Sequence, residues 1–287
     1  MNIRPDKKWQ RGWRVRSLLW GWTCSAMPML LTCVAAMLLA PWSVAAAVCI
    51  CVLALCELLL AFTLATQPLI ATGSTWADDD IDALKRALSV RAEVRWAQGR
   101  DKPTGGSCRQ RYGRDLVVID VDRFSNDQAL AVAAHEFGHT KQSPLAAPLL
   151  EAGARIAVGA VWLWALRGDG WQQGMITGGV GVLMWIAAIL IRTDTLRLGA
   201  VSVGCIYLAW MDLCAGVVVC VAWVLWRLLA AMCDRVHERL ADEAVRVIPH
   251  GDALLNEALR RLGGRDLPWW RQAFMSHPPV STRGAGR

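Results

Sequence analysis

VAAAVCICVLALCELLLAFTLAT, residues 44–66, carries a single charged side chain, Glu57, in an otherwise apolar run. As a helix rising about 1.5 Å per residue it spans about 34 Å, enough to cross roughly 30 Å of hydrocarbon. No polar face interrupts it, as one would on the surface helix of a soluble domain. Residues 17–40, just before it, form a similar run, and 175–191 and 198–232 are others. The composition agrees. Charged residues make up 19% of the chain, against about 25% in a typical soluble domain. Hydrophobic residues make up 55% and the mean hydropathy is +0.32. The chain therefore reads as mainly α, a polytopic bundle in a lipid bilayer.

The net charge of +7 is unevenly placed. Arg4, Lys7, Lys8, Arg11, Arg14 and Arg16 precede the first apolar run, opposed only by Asp6. The positive-inside bias puts this end in the cytoplasm. A cleaved leader ending near Ala45–Ala47 is the alternative, but the run is too long for one and a second follows at once. Basic charge beside membrane spans is explained by orientation, so no nucleic-acid partner is expected. Ten cysteines are present with no CxxC pair, and all but Cys108 lie in or beside apolar runs. They read as small hydrophobes, neither a disulfide framework nor a zinc ribbon.

The organisation expected from these shifts is a basic cytoplasmic tail at 1–16, a transmembrane hairpin at 17–70 and a first catalytic segment at 71–142. A transmembrane region at 143–233 and a second catalytic segment at 234–287 follow. Within 71–142, residues 79–90 read as a helix, with Ile81, Leu84 and Leu88 on one face. Residues 94–97 suggest a short strand, and 98–113 a glycine-rich basic loop. DLVVIDVD (115–122) is a strong strand signal, taken as a sheet edge. Ser125 followed by Gln128 is a capping box that opens a helix through His139. Near the C-terminus, 235–247 and 252–262 read as two further helices.

That capped helix carries His135-Glu136-Phe137-Gly138-His139, an HExxH. Residues i and i+4 share a helix face, so both imidazoles can bind one zinc ion, with Glu136 placed to take a proton from water. Chance alone gives this pattern in a chain of this composition about two times in a thousand, so it is informative without being decisive. A hydrolytic zinc site needs a third protein ligand and one open position. Glu238 is the best candidate, because Asp242 four residues on can hold a ligand imidazole from the same face. His237 is the rival, about 100° around the helix, and the two are not expected to bind together.

Three ordered motifs carry a resemblance: Phe137-Gly138 inside the HExxH; Arg235, Glu238, Ala241 and Asp242 as R-x-x-E-x-x-A-D; and His277-Pro278-Pro279 with Arg283 as H-P-x-x-x-x-R. Together they resemble the HtpX and CAAX-prenyl-protease family of integral-membrane zinc metallopeptidases, over roughly residues 75–142 and 230–285. The resemblance implies a small α/β zincin-like (gluzincin) catalytic domain facing the cytoplasm of a bacterial inner membrane. It implies one zinc ion on His135, His139 and Glu238, Glu136 as general base, and Asp242 and Arg235 supporting the ligands. It also implies that His277 and Arg283 face the substrate or the oxyanion. Arg239 stands where the family carries an aromatic residue, and 98–114 lacks the asparagine common before the family's edge strand.

A shared zinc site requires an even number of crossings between His139 and Glu238. Six spans result if 147–166 pairs with 175–191 and 198–232 folds back near Asp212. Four result if 147–166 stays at the surface and 198–232 crosses once. Arg192 and Arg197 fall in the cytoplasm with six, which the positive-inside bias favours. The expected activity is zinc-dependent endopeptidase action on membrane or membrane-associated proteins, with quality control one such role and the substrate strand beside 115–122. The alternative is an inactive zinc-binding sensor or scaffold, which would not need Glu136. A transporter is disfavoured, since Glu57 and Asp212 are the main ionisable groups in the spans.

Overall fold

The computed structural model describes residues 7–41, 44–66, 74–76, 78–96, 106–111, 114–165 and 213–262. In chain order the elements are α1 (Lys7–Leu39), α2 (Val44–Thr66), β1 (Ser74–Thr75), α3 (Asp79–Leu88), β2 (Glu93–Trp96), β3 (Gly106–Arg111) and β4 (Arg114–Ile119). Then come α4 (Asn126–His139), α5 (Ala146–Ala165), α6 (Leu213–Ala244) and α7 (Gly251–Arg261). The molecule is mainly helical with one small sheet. It divides into two units. One holds Met1–Cys24, Phe62–Ala147 and Ala231–Arg287, the other Ser25–Ala61 and Pro148–Ala230. The expected segments at 175–191, the first part of 198–232, and 267–287 lie outside the described residues.

The first unit is built on a four-stranded sheet of order β1-β2-β4-β3. β2 runs parallel to β4, pairing Val94 with Val117, and β3 runs antiparallel to it, pairing Cys108 with Val117. Leu116, Val117, Val118 and Ile119 of β4 are all buried, as expected of a strand covered on both faces. α4 is buried from Gln128 through Gly138. Its alanine-rich sequence lets it pack close on every side. Its start is the expected capping box, with Ser125 and Gln128 each satisfying the other's backbone N–H. α3 buries Ile81, Leu84 and Leu88 as its periodicity required, and ends at Ser89 in the left-handed region.

Three sequence expectations change here. Residues 106–111, read as loop, form β3. Residues 115–122, expected to be a sheet edge, contribute to an inner strand, Arg114–Ile119, bonded on both sides; among the described residues the outer strands are β1 and β3. It cannot accept a substrate strand, because both rows of its backbone groups pair with β2 and β3. Residues 235–247 are no separate helix: α6 runs unbroken from Leu213 to Ala244, followed by a short 3₁₀ turn at Val245–Val247.

The basic N-terminal stretch is likewise no free tail. From Lys7 it is the first part of α1. Trp13 is wholly buried in the first unit's core, stacks on Trp9, and donates from Nε1 to the Leu240 carbonyl at 2.6 Å. Arg14 donates to Leu88 O at 3.3 Å, and Trp20 to Cys233 O at 3.3 Å. Arg16 pairs with Glu243 at 2.5 Å. Trp13 and Trp20 thus fasten α1 along α6, with Trp9 stacked on Trp13.

In the second unit, Ala35, Ile50, Ala54 and Ile156 form a core among α1, α2 and α5. Arg155 makes a two-pronged pair with the buried Glu57 carboxylate at 2.6 and 2.7 Å. Trp226 of α6 donates to Leu150 O at 2.6 Å, its ring lying directly over Gly153. Large apolar side chains point outward along α1 and α2, among them Leu30, Met37, Val48, Leu55 and Leu59. Two helical segments, Lys8–Leu38 and Ala46–Thr63, are long and apolar enough to cross a membrane.

Trp13→Ala should remove a buried ring and leave the Leu240 carbonyl without its donor. The expected loss is about 3–5 kcal/mol of stability. Thermal unfolding in detergent measures it, and an unchanged midpoint would contradict the packing of α1 into this unit.

Candidate metal centre

α4 and α6 approach unusually closely where they carry the chemistry. A Cβ on Gly138 would lie 2.5 Å from Ala241 Cα and 2.8 Å from its carbonyl oxygen. Only glycine allows this contact. It brings the i, i+4 histidines of α4 opposite Glu238, almost one turn before Ala241 on α6.

The three side chains converge. His135 Nε2 and His139 Nε2 are 3.2 Å apart. Glu238 Oε2 lies 3.4 Å from His135 Nε2, and its Oε1 lies 3.5 Å from His139 Nε2. Ligand atoms about 2.0–2.1 Å from a tetrahedral zinc ion sit about 3.4 Å from one another; the two imidazole nitrogens are close to that spacing, each faces its own Glu238 oxygen, and one ligand atom from each residue lies within 4.8 Å of the others. His135 and Glu238 are buried and His139 is partly exposed, which leaves an approach from one side. The donor set, two imidazoles and a carboxylate, can hold a divalent metal ion.

Two polar groups stand behind the histidines. Asp242 Oδ1 lies 2.9 Å from His135 Nδ1, the position expected from its spacing to Glu238. Gln142 Oε1 lies 3.2 Å from His139 Nδ1, a contact the sequence reading did not foresee. Its signal was the i+3 spacing from His139. His237, the rival ligand, is buried but outside the cluster, and its Nε2 has no hydrogen-bond partner among the described residues. Burial, then the charge of His139, pushes the His237 pKa down to about 4 against the pull of Glu238. Arg235 is half-buried, almost one turn before Glu238 on α6. His277 and Arg283 lie outside the described residues.

Glu136 is buried beside the ligands. Its carboxylate lies against the backbone of Gly106, where an added Cβ would sit 2.8 Å from Oε1. This brings the first residue of β3, an outer strand among the described residues, next to Glu136. Cys108, two residues on, has its thiol pKa raised by burial and then by the nearby Glu136 carboxylate.

Comparison with protein-family models, with curated proteins and with solved structures gives no match to this chain.

His135 is poised for exchange between proton and metal. Burial opposes its charge, but hydrogen bonding to Asp242 and Glu238, with both carboxylate charges, outweighs burial and pushes its pKa from 6.5 up to about 10. In metal-free protein this raised pKa stabilises the fold fully below pH 6.5, and the contribution is lost as pH rises through about 10. Metal requires the neutral ring, so loading expels the proton and tightens as pH rises. The melting temperature of chelator-treated protein should therefore fall from pH 6.5 toward 10. The rise in melting temperature on adding zinc should grow over the same window. A zinc effect independent of pH would contradict His135 as a ligand.

Proposed function

We propose that this chain is a membrane-embedded zinc endopeptidase of the HtpX and CAAX-prenyl-protease type, cutting membrane or membrane-associated proteins at the cytoplasmic face. The observation that carries the reading is the convergence of His135, His139 and Glu238, with Glu136 at the same face. A structural metal site has no use for a buried carboxylate beside an incomplete ligand set.

One zinc ion held by His135, His139 and Glu238 would supply Lewis acidity toward a scissile carbonyl and a water molecule. Glu136 takes the proton of the attacking water and returns it to the leaving amine. An extended substrate segment adds to the free edge of β3, held by main-chain hydrogen bonds, which sets its scissile bond beside Glu136. This replaces the expected docking beside 115–122. His277 and Arg283 are assigned to the oxyanion on the resemblance alone.

The membrane reading is a polytopic bundle that includes α1, α2, α5 and the apolar part of α6. Arg155 alone would keep α5 out of hydrocarbon, but Glu57 neutralises it. Glu57 lies nine residues before the end of α2 and Arg155 nine residues after the start of α5 (66 − 57 and 155 − 146), so the two meet at equal depth in antiparallel helices. This favours entry of α5 into the bilayer over a surface position. A bacterial inner membrane and a quality-control role fit this arrangement.

Glu136→Gln should keep metal and fold but lose cleavage of casein or of the chain itself by about 10²–10⁴-fold. The amide matches the carboxylate in size but accepts no proton. Wild-type cleavage rates in this variant, or no chelator-sensitive cleavage in either protein, would leave a metal-binding scaffold as the better reading.

A further inference from the structure

The turn after α4 folds back on the metal cluster. Gln142 N donates to His139 O at 2.9 Å, and Thr140 Oγ1 donates to Phe137 O at 2.8 Å, which fixes the turn. From there the Gln142 side chain reaches two groups at once. Its Nε2 donates to the backbone carbonyl of His237 on α6 at 2.8 Å, and its Oε1 lies 3.2 Å from His139 Nδ1.

This pair of contacts determines the orientation of the amide. A backbone carbonyl can only accept, so the NH₂ end must face His237 O. The oxygen end must then face His139. An amide oxygen can only accept as well, so His139 Nδ1 carries the hydrogen. The lone pair is left on Nε2, the atom that faces His135 and Glu238. From the opposite helix the Asp242 carboxylate lies 2.9 Å from His135 Nδ1.

We propose that Gln142 is a positioning residue for the metal centre: by its bond to His237 O it holds an acceptor on His139 Nδ1, which fixes the tautomer and ring orientation that present Nε2 to the metal. The inference rests on the reading of the cluster as a metal centre. It extends that reading to a residue outside the HExxH, and it makes one amide the link between the two helices that supply ligands. Partners that orient a ligating imidazole are typically worth about 10–100-fold in metal affinity.

The test uses full-length protein in detergent, wild type, Gln142→Leu and Gln142→Glu. Zinc affinity is measured by competition with a chromophoric chelator. The His139 tautomer is read in metal-free protein by long-range ¹H–¹⁵N NMR with ¹⁵N-histidine labelling. Gln142→Leu keeps the side-chain volume and removes the acceptor, so zinc should bind about 10–100-fold more weakly and the Nδ1–H signature of His139 should be lost. Gln142→Glu restores an acceptor at His139 Nδ1 but cannot donate to His237 O, so the Nδ1–H signature should return with only part of the affinity. Should Gln142→Leu fold poorly, the Glu variant still decides, since a merely structural role gives no tautomer-linked rescue. Wild-type affinity in Gln142→Leu, or equal losses in both variants with the tautomer unchanged, overturns the proposal and leaves the metal reading standing. Absence of zinc binding in wild type overturns the metal reading itself.

Discussion

The whole site depends on one van der Waals contact, Gly138 of α4 against Ala241 of α6. Metal ligation requires atoms about 3.4 Å apart, and His139 and Glu238 are separated by almost a hundred residues of chain. Side chains of two helices packed at an ordinary distance of 8–10 Å would not close so tightly. Absence of a Cβ at Gly138 and the smallest possible side chain at Ala241 remove that spacing. Everything adjoining the contact then maintains it: the capping box that starts α4, Trp13 clamping the Leu240 carbonyl, and Gln142 bridging His139 to the backbone of His237.

What could be read from the sequence was local. The capping box is an i, i+3 signal, the HExxH an i, i+4 signal, and Glu238 with Asp242 another, so each survives without knowledge of the fold. α2 was legible to its ends because its apolar run is broken only at Glu57. Missed features were those imposed from elsewhere. GSCRQR, residues 106–111, has no apolar alternation and becomes a strand only by pairing with β4. The Glu57–Arg155 pair joins residues 98 apart, with no local pattern to announce it. At the N-terminus the charges of 4–16 masked a stripe that was present: Trp9, Trp13 and Trp20 fall on one helical face.

Correcting the order of the sheet alters the chemistry proposed. With Arg114–Ile119 paired on both sides, the proposed substrate strand moves to β3, which starts with a glycine lying against the Glu136 carboxylate. In the second unit, charge is handled by neutralisation rather than exclusion, since Glu57 is fully buried and both its oxygens are bonded to Arg155.

The central claim is that His135, His139 and Glu238 form one metal site. It is tested most directly by elemental analysis of purified wild-type protein and of Glu238→Ala. The account predicts about one zinc per chain in wild type, as a single three-ligand site demands, and its loss in the variant with the fold retained. Equal zinc content in Glu238→Ala and wild type would contradict it, and would transfer the third position to His237.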